Sequence, residues 1–356
     1  MNVLFTASYK NGVFSNGLQQ NIIYLAELLR NLGHNIFICI DHSIEDVVNP
    51  PVDILILEED ELDELPKIDF ILQAGWVFTK KSIDFLKKNN LSCKNIHIHY
   101  GNRMMADIEQ SSWDNLCIDT YDVDEVWTSP HYENAVEYFK TYYSTDDVLI
   151  APYIWSDKYV NLLQDKVEAE GGSCFYNKDD QKNIAILEPN LNMTKHCIPA
   201  IMIAEQMFKS NPELVNHVYV YCTSKLRDKT FFKSFMWQLD IVKAGKITFC
   251  DRKRIHVVLA NEANIILSHQ LMNGLNYTYL ESLYFNCPLI HNSKYIKDCG
   301  YYYEDYNIIQ GAKILEGAIR RHDLNLDLYK DQARDVLFKY SDKNPNNIEF
   351  YKNKIS

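Results

Sequence analysis

Short runs of aliphatic and β-branched residues alternate along the chain with longer segments whose apolar residues recur every three or four positions. The short runs predict buried strands, and the longer segments predict amphipathic helices. In the first half, the predicted strands cover 3–7, 35–40, 53–57, 69–73, 95–99, 125–128 and 148–150, and helices cover 17–32, 80–88 and 131–141. This alternation predicts a mostly parallel sheet with helices on both faces.

A charged, glycine-containing stretch at 164–182 interrupts the pattern and is predicted to be a linker. A second alternation follows, with strands at 184–188, 217–222, 247–250, 264–268 and 288–291, and helices at 196–209, 230–243, 252–260, 275–285, 312–320 and 328–338. We therefore predict an α/β protein with two Rossmann-like, doubly wound domains, 1–163 and 183–342, facing each other across a cleft. The last segment, 343–356, is expected to pack back on the first domain.

Composition narrows the class of protein. The 356 residues suit two domains, and 47% hydrophobic residues are enough for two cores. A net charge of −12 argues against passive binding to nucleic acid or anionic membranes, although a local basic groove stays open. Basic residues concentrate at 225–227, 252–254 and 320–321, and solvated helix faces are the favoured interpretation of each cluster.

Nine scattered cysteines without a C-x-x-C pair argue against a zinc site or a disulfide framework, and favour reduced thiols in a cytoplasm. The sequence shows neither a signal peptide nor a membrane span. The D-x-D spacing of Asp122 and Asp124 precedes a predicted strand, so it is interpreted as a solvated strand entry and no metal site is predicted. The oligomeric state stays open.

The strongest candidate site follows the predicted strand 264–268. There Asn273 and Gly274 lead a turn, and Glu281 lies one turn into the next predicted helix. In α/β layers, ligands bind outside the carboxyl ends of the strands, where a helix N-terminus offers unpaired N–H groups to phosphate. Neither G-x-G-x-x-G nor a P-loop occurs, so hydride transfer and NTP hydrolysis gain no support.

This segment resembles the signature of GT-B glycosyltransferases, in which two glutamates separated by seven residues hold the donor sugar and the nucleotide ribose. Glu281 matches the second glutamate, and Asn273 replaces the first. The resemblance implies that Glu281 binds the ribose, and that Asn273 and the Gly274 backbone hold the sugar. His269, Gln270, Leu275 and Asn276 complete the predicted donor site.

The run from Glu188 to His196 ends a predicted strand and opens a predicted helix. In retaining GT-B enzymes the corresponding turn carries a basic pair that neutralises the donor diphosphate, and Lys195 falls where the lysine of that pair lies. Negative charge builds on the leaving diphosphate, so a cation is needed there. Asn190 or Asn192 stands where the arginine is usual. Asn192 is a predicted donor-site residue, with a helix N-cap as the open alternative.

Three features of the first half are candidates for contacts with the acceptor or the donor sugar. His99 ends a predicted strand and is expected near the reacting centre, whereas His97 is interpreted as a core residue. Trp76 is either a platform for a sugar or base, or a packing residue. Residues 11–17 form either a capped turn or a glycine-containing loop at the cleft, in which Gly17 contacts the ligand.

Further runs, 187–195, 268–281, 291–293 and 300–303, resemble a little-studied family of GT-B-like proteins found in bacteria, large DNA viruses and tailed phages. Some phage members are proposed to put arabinose on 5-hydroxymethylcytosine of their own DNA. The resemblance implies a retaining, metal-independent glycosyltransferase in the host cytoplasm. It would use a nucleotide-sugar, UDP-sugar above others, with no permanently bound cofactor.

Two alternatives stay open. The acceptor could be a surface glycan or a protein rather than hydroxymethylcytosine DNA. Because the first glutamate and the arginine are both replaced, the chain could also be a catalytically silent GT-B-like binding module.

Overall fold

The computed structural model describes residues 1–10, 12–47, 54–111 and 123–356. The chain divides into two compact units. Unit 1 comprises Met1–Ser156 together with Tyr340–Ser356, and unit 2 comprises Asp157–Lys339. Each unit is built on one parallel sheet, so the predicted α/β class with two Rossmann-like domains is confirmed.

Unit 1 contains a sheet of seven described strands: β1 Asn2–Ala7, β2 Asn35–Ile40, β3 Leu55–Glu58, β4 Phe70–Gln73, β5 Lys94–His99, β6 Glu125–Thr128 and β7 Val148–Ile150. Its order is β3-β2-β1-β4-β5-β6-β7, with parallel pairing throughout. The first helices are α1 Gly17–Asn31, α2 Lys80–Asn89, α3 Arg103–Ser111 and α4 Val136–Tyr143. The central strand β1 is buried from Val3 onward because helices cover both faces of a parallel sheet.

Unit 2 contains the strands β8 Ile184–Ile186, β9 Val218–Val220, β10 Ile247–Phe249, β11 Ile265–Leu267, β12 Leu289–His291 and β13 Tyr301–Tyr302. Their order is β10-β9-β8-β11-β12-β13, again parallel. Its helices are α5 Asp157–Ala169, α6 Ile198–Ser210, α7 Thr230–Met236, α8 Asp240–Lys243, α9 Ile255–Asn261, α10 Tyr277–Tyr284, α11 Ile308–Arg321 and α12 Leu326–Tyr340. The strand order reverses between β8 and β11, and ligands bind at such a switch point in doubly wound sheets.

The prediction of one helix over 230–243 is wrong, because the chain forms α7 and α8 with a break between them. The buried carboxylate of Glu205 accepts hydrogen bonds from the backbone N–H groups of Asp240 and Ile241, both at 3.0 Å. An anionic acceptor at a helix N-terminus satisfies donors that have no partner inside the helix. This tertiary contact therefore starts a new helix at Asp240, although the local apolar pattern predicted that one helix continues to 243.

Two further helices were missed. α5 covers the first part of the stretch predicted as the linker 164–182, and α3 follows β5 where the sequence indicated a hydrophilic loop. The buried residues of α5 include Tyr159, Val160, Leu163 and Val167, which recur every three or four positions. The helical repeat was not recognised in the sequence, because charged residues lie between these apolar positions.

Two of the three basic clusters are not on helix faces, so that interpretation is wrong for them. Residues 225–227 form a turn, and 252–254 are an irregular segment before α9. The two segments are neighbours, since Arg227 pairs with Asp251 at 3.2 Å and the backbone N–H of Thr223 donates to the Cys250 carbonyl at 3.0 Å. Residues 320–321 do lie in the last turn of α11.

The chain returns to unit 1 after α12 and ends with α13, Pro345–Lys354. The Tyr351 hydroxyl donates to the Pro152 carbonyl at 2.7 Å, and the rings of Phe350 and Tyr351 lie 6.3 and 6.0 Å from that of Trp127. Among the described residues, none of the helices is both long and apolar enough to cross a bilayer.

Candidate functional site

Three loops converge at the switch point of unit 2. Glu188 follows β8, and Ser268, His269 and Gln270 follow β11 directly. The loop from β12 approaches the same place, where Asn292 exchanges two hydrogen bonds with the backbone of Gln270, at 3.0 and 2.9 Å. The structure therefore brings together the loops in which the sequence placed most donor-site candidates.

Glu188 is the centre of a buried network. Its carboxylate accepts hydrogen bonds from the Ser268 hydroxyl, the Gln270 side-chain amide and the backbone N–H of His269. Burial raises the pKa of Glu188 to about 7, while these hydrogen bonds and the nearby charge of Lys195 act in the opposite direction. No local pattern indicated this role, because Glu188 was only the last residue of a predicted strand.

The amide of Asn273 joins the network through Gln270. Its Nδ2 donates to Gln270 Oε1 at 2.7 Å, and Gln270 Nε2 in turn donates to Glu188. Asn273 is 2% exposed, so its orientation is set by buried partners rather than by solvent. The structure thus fixes the orientation of Asn273, the residue predicted to stand at the position of the first glutamate.

Gly274 allows the turn after Asn273 to pack closely. A Cβ at this position would lie 2.8 Å from the ring of Tyr295, and the hydroxyl of Ser293 donates to the Gly274 carbonyl. Both partners come from the segment that follows β12. The glycine is therefore required by close approach and not by an unusual backbone angle.

The predicted helix of the signature begins two residues later than expected, at Tyr277. Asn276 is its N-cap, and its side-chain oxygen accepts from the backbone N–H of Tyr279 at 3.0 Å. Leu275 is buried beneath the turn, and Glu281 is the fifth residue of α10, with 4% exposure. Glutamate is seldom buried in soluble proteins, so the burial of Glu281 makes it a candidate for a specific task.

The turn that carries Lys195 is shaped by asparagines. Asn190 adopts a left-handed backbone with φ 55°, and its side-chain oxygen accepts from the backbone N–H of Cys197 at 2.8 Å. Asn192 accepts from the Thr194 hydroxyl at 2.7 Å. Because α6 begins only at Ile198, the alternative that Asn192 caps this helix is wrong.

Lys195 is partly buried beside Glu188. Burial lowers the pKa of Lys195, and the negative charge of Glu188 raises it. The backbone N–H of Leu271 donates to the Thr194 carbonyl at 2.9 Å, so the lysine turn and the loop after β11 are directly joined. The predicted phosphate cation and the predicted sugar-binding loop are therefore neighbours.

His269 is held in one orientation by Tyr303. Its Nδ1 lies 3.0 Å from the Tyr303 hydroxyl, which donates to the Ser268 carbonyl at 3.0 Å. Burial lowers the pKa of His269 to about 4, with the charge of Asp305 acting against this. The imidazole is consequently neutral at pH 7.

In unit 1, His99 and His97 share one partner. The Tyr143 hydroxyl lies 3.0 Å from Nε2 of His99 and 3.3 Å from Nδ1 of His97. The His99 ring stacks on Phe139 with centroids 4.5 Å apart, and Gln73 contacts Nε2 of His97 at 2.9 Å. Burial lowers the pKa of His99 to about 3 and that of His97 to about 4, so both are neutral.

Trp76 is anchored inside unit 1. Its indole N–H donates to the Cys39 carbonyl at 3.3 Å, and its ring meets that of Phe78 edge-on at 4.8 Å. These contacts favour the packing interpretation.

Gly17 is the exposed first residue of α1. The side chain of the N-cap, Asn16, accepts a hydrogen bond from the backbone N–H of Gln19. Asn11 lies outside the described residues.

The D-x-D pair is only partly described, since Asp122 lies outside the described residues. Asp124 accepts from the backbone N–H of Asn95 at 2.7 Å and pairs with Lys87 at 3.0 Å. Within 1–10, 12–47, 54–111 and 123–356, no group of three or more histidine, cysteine, aspartate and glutamate side chains is arranged to hold a metal ion.

Solved structures share this two-unit fold. A glycosyltransferase from Rickettsia africae matches with a TM-score of 0.60 and 13% identity, over 99% of this chain and 97% of that one. The pneumococcal O-GlcNAc transferase GtfA, solved with UDP and GlcNAc, matches with a TM-score of 0.57 and 10% identity, over 100% and 98%. An α-glucosyltransferase, solved with UDP and a 13-mer DNA containing an HMU base, matches with a TM-score of 0.58 and 12% identity, over 100% and 98%.

These likenesses establish a GT-B-type fold for the chain. No match is found among curated protein sequences. A family profile covers residues 3–355, and the chain therefore belongs to the family described as "Protein of unknown function (DUF2827)".

Proposed function

We propose that the protein is a glycosyltransferase whose donor is a nucleotide-sugar, with UDP as the favoured nucleotide. The observation that carries this proposal is the joined pair of loops at the switch point of unit 2. There the Thr194–Leu271 hydrogen bond sets Lys195 beside the loop that leads to Asn273 and Glu281. Sites at such switch points bind nucleotides, and similarly folded proteins have been solved with UDP.

In this proposal each side chain acts on a different part of the donor. Glu281 accepts hydrogen bonds from the ribose hydroxyls, and Lys195 binds the diphosphate. Asn273 and the Gly274 backbone hold the sugar, with His269 and Gln270 beside them. Burial lowers the pKa of Lys195, and the negative charge of a bound diphosphate acts in the opposite direction because it stabilises the ammonium.

The proposed reaction retains the configuration of the sugar and uses no metal ion. The acceptor hydroxyl oxygen forms a bond to the anomeric carbon on the face from which the diphosphate leaves, and its proton passes to the departing phosphate oxygen. Lys195 stabilises the charge that remains on the diphosphate. Asn273 supports this route, because an amide can orient the sugar but cannot act as a carboxylate nucleophile. His99 is proposed near the acceptor, where a neutral imidazole can accept a hydrogen bond from a hydroxyl.

We further propose 5-hydroxymethylcytosine in DNA as the acceptor and a pentose such as arabinose, or a hexose, as the sugar. The fold likeness to the α-glucosyltransferase solved with HMU-containing DNA supports this acceptor. So does the distribution of charge, since residues 225–254 contain nine lysines and arginines but three acidic residues, in a chain of net charge −12. Basic side chains gathered in one region are what phosphate contacts require.

Titration calorimetry with a panel of nucleoside diphosphates and their sugars tests the donor site. We expect UDP and at least one UDP-sugar to bind, and a complete lack of binding would contradict the enzyme proposal.

The acceptor is tested by incubating the protein and candidate donors with hydroxymethylcytosine DNA and with plain DNA, followed by digestion and mass analysis of the nucleosides. A pentose or hexose increment is expected only on the hydroxymethylated DNA, whereas transfer to a glycan or protein alone would overturn this acceptor.

A second candidate is a silent binding module, and one observation favours it. Asn190 stands near the usual arginine position, and its side chain hydrogen-bonds to backbone groups of its own turn, at Glu188 and Cys197, and of the segment after β9, at Tyr221 and Cys222. Only one cation of the usual pair is then left in this turn. A protein that binds UDP-sugars but releases no UDP with any acceptor would establish this candidate instead.

A further inference from the structure

His269 carries a buried acceptor for which the described residues provide no partner. The side chain is 2% exposed, and its Nε2 atom is buried without a hydrogen bond to any part of the chain that the structure describes. Buried polar atoms are nearly always satisfied in native proteins. An exception beside a ligand-binding loop therefore points to a ligand that supplies the missing bond.

The hydrogen bonds of Tyr303 define the tautomer of His269. The single hydroxyl proton of Tyr303 is donated to the Ser268 carbonyl, so its oxygen can only accept from Nδ1 of His269. Nδ1 therefore carries the proton. Because burial keeps the imidazole neutral, Nε2 presents a bare lone pair.

A bare lone pair selects the chemistry of its ligand. Nε2 can accept from a hydroxyl or an N–H group, whereas a phosphate oxygen would face it with lone pairs of its own. His269 also stands between Ser268 and Gln270, both of which hydrogen-bond to Glu188, and Gln270 holds the amide of Asn273. Gln270 therefore links His269 to Asn273, the residue that is proposed to hold the sugar.

We propose that His269 Nε2 accepts a hydrogen bond from one hydroxyl of the donor sugar, which makes His269 a residue that determines donor specificity. This inference rests on the proposed function, because it assumes that a nucleotide-sugar binds to unit 2. A site built to hydrogen-bond a hydroxyl discriminates strongly against an analogue that lacks it, since the buried acceptor then stays unpaired. The donor accepted by the protein must accordingly carry a hydroxyl at the position that Nε2 reaches.

Nitrogen-15 NMR of the histidine rings tests the inference on the unmodified protein. The His269 signals are assigned by their loss in a His269→Asn variant. In the free protein we expect Nδ1 protonated and Nε2 unprotonated. The Nε2 resonance should shift when a UDP-sugar binds and should stay in place with UDP alone. The opposite tautomer, or an unmoved Nε2 resonance in a protein that turns over UDP-sugar, would overturn the proposal.

The same variant provides a binding test with a matched control. Asparagine can keep a donor near the position of Nδ1 for Tyr303 but has no atom at the position of Nε2, whereas His269→Gln restores an acceptor near Nε2. We expect His269→Asn to weaken UDP-sugar binding about tenfold or more, with UDP affinity unchanged and partial recovery in His269→Gln. Wild-type protein should also bind its donor more tightly than the deoxy analogue that lacks the hydroxyl bound by Nε2. The His269→Asn variant should bind the two equally.

The outcomes separate this inference from the proposed function. Equal weakening of UDP and UDP-sugar by His269→Asn, in a variant that melts like the wild type, would mean that His269 only supports the loop and would overturn the inference while leaving the enzyme proposal intact. A buried water that stays bound to Nε2 in the donor complex would also overturn it. If no nucleotide-sugar binds at all, both the proposed function and this inference fail.

Discussion

At the scale of single residues, Glu188 shows how burial changes the chemistry of a carboxylate. Its pKa is raised to about 7 by burial, against an ordinary value of 4.5. Three donors from the loop after β11 surround it, and Lys195 stands nearby. A group of this kind couples the stability of the site to pH.

We expect Glu188→Gln to flatten the dependence of stability on pH. Folded wild-type protein keeps the Glu188 proton at pH values where the unfolded chain has lost it. The stability contributed by this group is therefore fully present below pH 4.5 and is lost as pH rises through about 7. Relative to the variant, the wild type should lose on the order of 3 kcal/mol across this range, as measured by urea unfolding. Glu137→Gln, at an exposed position, should change nothing.

Glu281 is the residue on which the proposed ribose site depends. Replacing it with alanine should weaken UDP binding by roughly 1.5–3 kcal/mol for each charge-assisted hydrogen bond that is lost. Calorimetry on the wild type, Glu281→Ala and Glu281→Gln measures this, and the glutamine variant is expected to lie between the other two. Unchanged UDP affinity in a folded Glu281→Ala protein would place the ribose elsewhere.

At the scale of elements, the site exists because loops from three strands pack against one another. Gly274 lies against Tyr295 and Ser293, and Leu271 is hydrogen-bonded to Thr194. None of these contacts is local in sequence. The geometry of the donor loop is therefore a property of the packed sheet edge rather than of the segment alone.

Gly274→Ala should damage this packing. The new Cβ would come within 2.8 Å of the Tyr295 ring, so the loop or the ring must move, at a cost of about 1–3 kcal/mol. We expect a lower melting temperature and weaker UDP-sugar binding. Gly317→Ala is the matched control, because a Cβ there meets nothing within 4 Å and the residue lies within α11. That substitution should stabilise the protein by roughly 0.5–1 kcal/mol.

At the scale of the whole molecule, the charge distribution matters more than the net charge. The neighbouring loops 225–227 and 252–254 carry five of the 36 basic residues of an acidic chain. Loops at the end of a parallel sheet bring together cations that are far apart in sequence. All five basic residues are exposed, with Arg227 paired to Asp251 and Lys253 to Glu262, and we propose this surface for contacts to DNA phosphates.

If duplex DNA is the acceptor, reversing charge in this region should weaken its binding. A Lys225→Glu variant should bind hydroxymethylated DNA more weakly and with a shallower dependence on salt, because fewer counterions are released. Fluorescence anisotropy at several salt concentrations measures this, and UDP affinity should not change. Lys313→Glu, on α11, is the control for net charge. Equal effects of both changes would show that the two loops have no special part in binding.

Much of the fold could be predicted because its signals are local. Alternating strand and helix periods indicated both sheets, and the Asn273–Glu281 segment indicated a loop followed by a helix at the end of a strand. α5 and the break between α7 and α8 could not be predicted in this way. Charged residues masked the period of the first, and the second depends on Glu205, which lies more than 30 residues away along the chain.

The sequence by itself determined the two α/β layers, because burial on both faces of a parallel sheet imposes its pattern on every strand. It also indicated which loops would carry polar side chains. Only the tertiary structure decided that Glu188, Gln270 and Asn273 form one network and that Nε2 of His269 has no hydrogen-bond partner among the described residues. Hydrogen bonds between loops depend on how the loops pack in three dimensions, and the pKa of each group depends on its burial. Hydrogen-bond partners and pKa shifts therefore produce no periodic pattern along the sequence.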